Sequence, residues 1–93
     1  MRMIHKYPVL PGSTDHIKTY AGAKFVHFAE ARDGQLYVWV EFNPNALEEN
    51  LNYRIFGTGH PIEPPVDLCV EHRFSCQQSG GTFVWHLYEV LLR

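Results

Sequence analysis

The stretch "QLYVWVEF", residues 35–42, decides the fold. Leu36, Val38, Val40 and Phe42 occupy every second position, with Tyr37, Trp39 and Glu41 between them. A period of two marks a strand with one face on a core; a helix would repeat its apolar residues three and four apart. Most of these residues are β-branched or aromatic, types that fit a pleated surface.

The same period continues in both directions. Upstream, "AKFVHFAEA" (23–31) sets Phe25, His27 and Ala29 against Val26, Phe28 and Glu30. "RDGQ" (32–35) joins the two runs, and its Asp-Gly pair predicts a two-residue hairpin turn, because glycine tolerates the positive φ such a turn needs. Downstream, "LCVEHRFSC" (68–76) alternates Leu68, Val70, His72 and Phe74 against Cys69, Glu71, Arg73 and Ser75. "TFVWHLYEVLL" (82–92) alternates Phe83, Trp85 and Leu87 against Val84, His86, Tyr88 and Val90, with "QSGGT" (78–82) as the turn before it. This last run is apolar on both faces, which places it mid-sheet or against another subunit. Residues 2–9 and 15–20 read as shorter strands around a loop, "LPGSTD". In "NPNALEEN" (43–50), Asn43 as cap and Pro44 at the first helical position predict one helical turn leading to a strand from 51. The expected architecture is a single all-β domain over 1–93. It is a small antiparallel β-sandwich or barrel of about seven strands, with one short helical turn.

Composition narrows the function classes. The 93 residues are 45% hydrophobic and 19% charged, with thirteen Phe, Tyr and Trp to fill a core or a subunit contact. Net charge is −2 and the eight Lys and Arg are scattered, so duplex nucleic acid is not an expected partner. Protonating the six histidines would carry that −2 to +4, which makes association sensitive to pH near 6. No apolar run suits a signal peptide or a membrane span, so the chain is expected to stay in the cytosol where it is made. Cys69 and Cys76 read as free thiols there, too far apart on one strand for a disulfide.

The candidate site is "RIFGTGHPIEPP", residues 54–65. One reading is a turn: Gly57 and Gly59 permit positive φ, and His60 precedes a proline. The other is an anion cradle, with the N–H groups of Gly57, Thr58, Gly59 and His60 turned to a phosphate, Arg54 and His60 supplying charge, and His86 as a further ligand-binding candidate. Pairing His60 with His86 would suit acid–base or metal chemistry, but neither carries the His-x-Thr or His-x-Ser pattern of phosphoesterases. Cys69, His72 and Cys76 have a zinc-like composition, yet alternation sends Cys69 away from the other two, so no metal or other cofactor is expected. No carboxylate pair is set at a working separation, and Ser13, Ser75 and Ser79 have no evident base, so no catalytic residue is assigned. Outward aromatics at Tyr37, Trp39, Tyr53 and Tyr88 suit a protein contact, with a partner or in a homodimer or higher homo-oligomer.

"FGTGHPI" (56–62), taken with "GGTFVWHLYE" (80–89), resembles a family of small proteins of unknown function from bacteriophages and actinobacterial genomes. "MRMIHKYPV" at the start and the run from Gly22 to Pro44 are similar to it too, so the likeness covers nearly the whole chain. The resemblance implies a phage or prophage accessory protein acting inside a bacterial cell, and carries no catalytic residues to transfer. Gly57, Gly59, His60, Pro61, Trp85 and His86 match its motifs.

Four functions are therefore in play. The first is a non-enzymatic binding module for a host protein, such as a component of antiviral defence, anchored by Trp39 or Arg54. The second is capture of a nucleotide or other small phosphate ligand at the glycine-histidine loop. The others are a hydrolase using His60 and His86, and a minor virion component.

Overall fold

The computed structural model describes residues 1–93. Seven strands run in chain order: β1 (Met3–Val9), β2 (Asp15–Tyr20), β3 (Lys24–Glu30), β4 (Leu36–Phe42), β5 (Glu48–Gly57), β6 (Leu68–Gln78) and β7 (Phe83–Leu92). They form two antiparallel sheets, one of three strands in the order β1-β4-β3 and one of four in the order β2-β5-β7-β6. The molecule is a sandwich, not a closed barrel, and no helix is long and apolar enough to cross a membrane.

β4 behaves as its alternation predicts. Leu36, Val38, Val40 and Phe42 are all buried, with Val38 and Val40 at 0% exposure. Facing them across the sandwich are Leu51, Tyr53 and Ile55 of β5 and Leu87 of β7. Fully burying one such side chain contributes about 1.5–3 kcal/mol. β7, apolar on both faces, lies between β5 and β6 in the interior of its sheet.

Strict alternation fails at two places, and both are β-bulges. In β3, Phe25 pairs with Val40 and His27 with Trp39, so Val26 is an extra residue. Phe25 and Phe28, three apart, consequently both enter the core, while His27 turns out against Trp39. In β6, His72 pairs with Tyr88 and Phe74 with Leu87, which makes Arg73 the extra residue. From there the phase reverses: Phe74 and Cys76 pack toward the core, while His72 and Ser75 share the outer face. Arg73 is held by Glu71 at 3.0 Å and Glu89 at 3.1 Å. A bulge inserts one residue without a partner and re-aims the side chains beyond it.

The turns also correct the sequence reading. The 32–35 connection is a three-residue loop: Gly34 N–H donates to Ala31 C=O at 3.0 Å, Ala31 N–H to Gln35 C=O at 2.9 Å, and Gly34 sits at φ +82°. This is a type I turn followed by a left-handed glycine. The helical turn expected at 43–50 is a β-turn instead. Asn43 accepts from Asn45 N–H through its side chain at 2.9 Å and from Ala46 N–H through its carbonyl at 3.1 Å. So short a segment cannot offset helix nucleation, and β5 begins at Glu48, opposite Tyr20.

β3 and β6, the two bulged edge strands, lie side by side across the sandwich. Glu30 accepts from Ser79 N–H at 3.2 Å and Gln78 Nε2 donates to Gly34 C=O at 2.7 Å, pinning the two hairpin tips together.

Candidate functional site

The corner at 54–65 is built as a turn. His60 N–H donates to Gly57 C=O at 3.1 Å, and the His60 ring folds back so that Nδ1 accepts from Gly57 N–H, also at 3.1 Å. Thr58 N–H donates to Val84 C=O at 3.3 Å. Three of the four N–H groups of the expected anion cradle are thus engaged within the protein, leaving Gly59. A Cβ at Gly57 would lie 2.8 Å from His60 Cε1 and 3.1 Å from Trp85 Cζ3. Glycine at 57 is what lets the ring lie down on the strand.

The same geometry separates the two motif histidines. Gly57 pairs with Trp85 and shares the core-facing side with Ile55, so the His60 ring lies on that side. His86 pairs with Phe56 and points to the outer face. The two rings do not hydrogen-bond each other, although both residues line the same hollow at the 57–60 corner. Because Nδ1 accepts, neutral His60 carries its proton on Nε2 and offers it outward. Beside it, where β5 continues past Tyr53, the partner of Asp15 at the start of β2, a notch of about 530 Å³ brings Arg54, His60 and Trp85 together against Pro11 and Gly12. Arg54 Nε donates to Gly12 C=O at 3.2 Å, and its guanidinium lies 4.8 Å from the Phe56 ring centre. A concavity of the same volume along Lys18–Tyr20 and Glu48–Asn50 is lined by strand-edge groups of both charges and contains none of these residues.

The outer face of the four-stranded sheet carries a connected chain of side chains. Thr58 Oγ1 is 2.8 Å from His86 Nε2, His86 Nδ1 is 2.7 Å from Ser75 Oγ, and Ser75 Oγ is 2.9 Å from His72 Nε2. Each ring nitrogen of His86 thus meets a hydroxyl, and Ser75 lies between two imidazoles. Tyr88 meets His72 edge-on at 5.3 Å and Phe56 at 5.4 Å. Phe56, although it points outward, is only 4% exposed. A hollow of about 240 Å³, lined by Phe56, His60, Ile62, His86, Tyr88 and the 57–59 turn, adjoins this chain. Sequence reading names Thr58, His86 and Tyr88 as site candidates, but weighs His72 only as a zinc ligand and Ser75 only as a serine without a base. Under simple alternation the two fall on opposite faces, and the polar pair three apart within "HRFS" is the one hint of the bulge.

The outer face of the three-stranded sheet carries Tyr37 and Trp39, both half-buried, with the His27 ring 4.9 Å from Trp39 and Lys6 Nζ 4.5 Å from the Tyr37 ring centre. Tyr37 donates to Asp33 at 3.1 Å; that bond, with burial and the same carboxylate's charge, raises its pKa. Arg2 and Lys24 flank the patch, both paired with Glu41. Tyr53 does not belong to any outer surface. It is 4% exposed in the core, edge-on to Phe25 at 6.2 Å, and burial raises its pKa.

The cysteines are both free and both lie on β6. The bulge corrects the expected orientation of Cys76: Cys69 pairs with Leu91 and Cys76 with Trp85 on the inner side, and His72 points the other way. No group of three or more His, Cys, Asp or Glu side chains gathers at a metal-binding distance. Burial, and secondarily Glu30, pushes the Cys76 thiol up to about 11.

Residues 1–92 match a domain of unknown function, DUF7352. The chain belongs to that family. The DUF7352 match takes in both sheets, both bulges and the 54–65 corner. No curated protein and no solved structure matches the chain.

Proposed function

We propose that this DUF7352 chain is a binding module that acts by contact, engaging a host protein through the outer face of its three-stranded sheet. The observation that carries the reading is the Tyr37–Trp39 pair, half-buried on an open sheet face and bracketed by Lys6 and His27. Aromatic anchors ringed by polar groups are typical of protein contacts, and a strand-tracking basic groove is lacking. The resemblance to phage and actinobacterial proteins supports an accessory role in a bacterial cell, with a defence component as partner. Self-association through the same face is the competing occupant. The test is affinity purification from a bacterial host with wild type and the Tyr37→Ala/Trp39→Ala variant, alongside sedimentation of the pure chain. The reading expects one host protein retained by wild type and lost by the variant, with unchanged melting temperature. Identical co-purifying proteins for both, or a dimer that only the variant loses, would count against it.

The notch at Arg54 favours a second reading, capture of a small phosphate compound. Here side chains replace the cradle of N–H groups: Arg54 supplies charge, His60 Nε2–H a donor and Trp85 an aromatic wall. A nucleotide panel should then raise the melting temperature of wild type by mass action and not that of Arg54→Gln. A flat response across the panel removes this reading.

A further inference from the structure

We infer that Ser75 is an activated nucleophile, a site at which the chain accepts an acyl group from activated esters. The inference does not depend on the partner surface, which lies on the other sheet.

The requirements for such a group are a base in contact, a partner that orients the base, and access. His86 Nδ1 lies 2.7 Å from Ser75 Oγ, inside hydrogen-bond reach. Thr58 Oγ1 lies 2.8 Å from His86 Nε2. When Nε2–H donates to Thr58, Nδ1 is left unprotonated, which is the tautomer that can take the serine proton. His72 Nε2, 2.9 Å from the same oxygen, can donate to Ser75 while Ser75 donates to His86. Ser75 is exposed, and the adjoining hollow offers the Phe56 and Tyr88 rings to an acyl or aryl group. Tyr88 lies against His72, Arg54 beyond Phe56 and His60 on the rim of the hollow, while His16, Lys18 and Glu48 occupy the far, β2 side of the same face.

The step is an acyl transfer. Ser75 Oγ attacks the carbonyl carbon and its proton passes to His86 Nδ1. The bond between that carbon and the leaving oxygen breaks, and the proton moves from His86 to the departing alkoxide or phenoxide. The products are an O-acyl Ser75 and a free alcohol or phenol. Thr58 is a positioning residue, acting through the His86 tautomer.

The test incubates the full chain with p-nitrophenyl acetate and follows nitrophenolate release together with peptide mass mapping. The expected result is an acetyl group on Ser75. His86→Ala should slow acylation of Ser75 by about 100-fold or more. Thr58→Val should slow it by about tenfold, with Thr58→Ser restoring it. Should His86→Ala fail to fold, His86→Gln, monitored by the same melting curve as wild type, takes its place. Acetyl found only on lysines, the N-terminus or a histidine overturns the inference. Equal labelling of Ser75 in wild type and both His86 variants overturns it as well.

Discussion

The two bulges use one device to opposite ends. In β3 the extra residue, Val26, brings Phe25 and Phe28 together on the inside. In β6 the extra residue, Arg73, brings His72 and Ser75 together on the outside. The first adds aromatic volume to the core. The second turns Phe74 and Cys76 toward the core and, on the opposite face, sets up a hydrogen-bonded surface chain. Packing accounts for the inward half of each bulge; the polar chain on the outside of β6 is what packing leaves over. The Arg73 clamp on Glu71 and Glu89 shows that the outward bulge is held in place by its own contacts.

The largest effect that can test this contrast is in the inward bulge. Phe28→Ala removes a ring that is 3% exposed, and should cost about 3–5 kcal/mol. Against a typical domain stability of about 5–15 kcal/mol, the melting temperature should fall by more than about 10 °C. A fall of only a degree or two would mean that the β3 bulge is not there for packing.

Deletion of Arg73 comes next. Without it, His72, Phe74 and Ser75 are consecutive, and ordinary alternation alone puts His72 and Ser75 on one face. The fold and the Ser75–His86 contact should survive. The cost should be about 1–3 kcal/mol, from the half-buried Glu89 left without its partner. Urea titration gives the cost, and the histidine ring resonances in an NMR spectrum show whether the chain of contacts persists.

Much of this architecture is written plainly in the letters, and the parts that are not share one cause. Strand positions, the central place of β7 and the inward set of β4 arise from a period of two. The period is local, so it reports faithfully wherever the ladder is regular. A bulge is a decision of the pair, not of the strand: nothing in "KFVHFAE" says that β4 skips a residue at Val26. Hence alternation misplaces Phe28, Ser75 and Cys76, because it gives them a parity that the ladder breaks, while Cys69, ahead of the bulge, faces away from His72 as expected. Tyr53 is misplaced for a different reason. A buried tyrosine flanked by Asn52 and Arg54, close to the corner that ends its strand, looks like any exposed one. The 54–65 corner is legible as a turn with two glycines, but the fold of the His60 ring onto Gly57 is not, because side-chain closure of a loop leaves no periodic trace.

A third prediction concerns the inner side of β6. With its pKa pushed up to about 11, Cys76 should be nearly all thiol at pH 8 and react slowly with iodoacetamide until the chain unfolds. The unfolded thiol, near 8.5, gives up its proton first. Between about pH 9 and 11 the native state therefore binds more protons than the unfolded one, and stability falls as pH rises. The raised values of Tyr7 and Tyr53 act in the same direction. Urea midpoints should hold level up to about pH 8.5 and decline above it. Rapid alkylation of Cys76 in the native chain would mean that the bulge does not turn it inward.

The smallest effect is the most informative about the outward bulge. Ser75→Ala removes an exposed hydroxyl that stands between two imidazoles, both of which can turn to water for a partner. A net hydrogen bond contributes about 0.5–1.5 kcal/mol, and exposure keeps the loss here near the low end. The expected change in urea midpoint therefore corresponds to under about 1 kcal/mol, several times less than for Phe28→Ala. Two residues, each on its face only because of a bulge, would then differ sharply in what they do for stability. A Ser75→Ala cost equal to that of Phe28→Ala would erase the distinction, since the polar chain would then be one more way of holding the sheet together. A small cost leaves its hydrogen bonds without a structural purpose of matching size: Phe74 and Cys76 then carry what the β6 bulge does for packing, and the polar chain at Ser75 is left to chemistry.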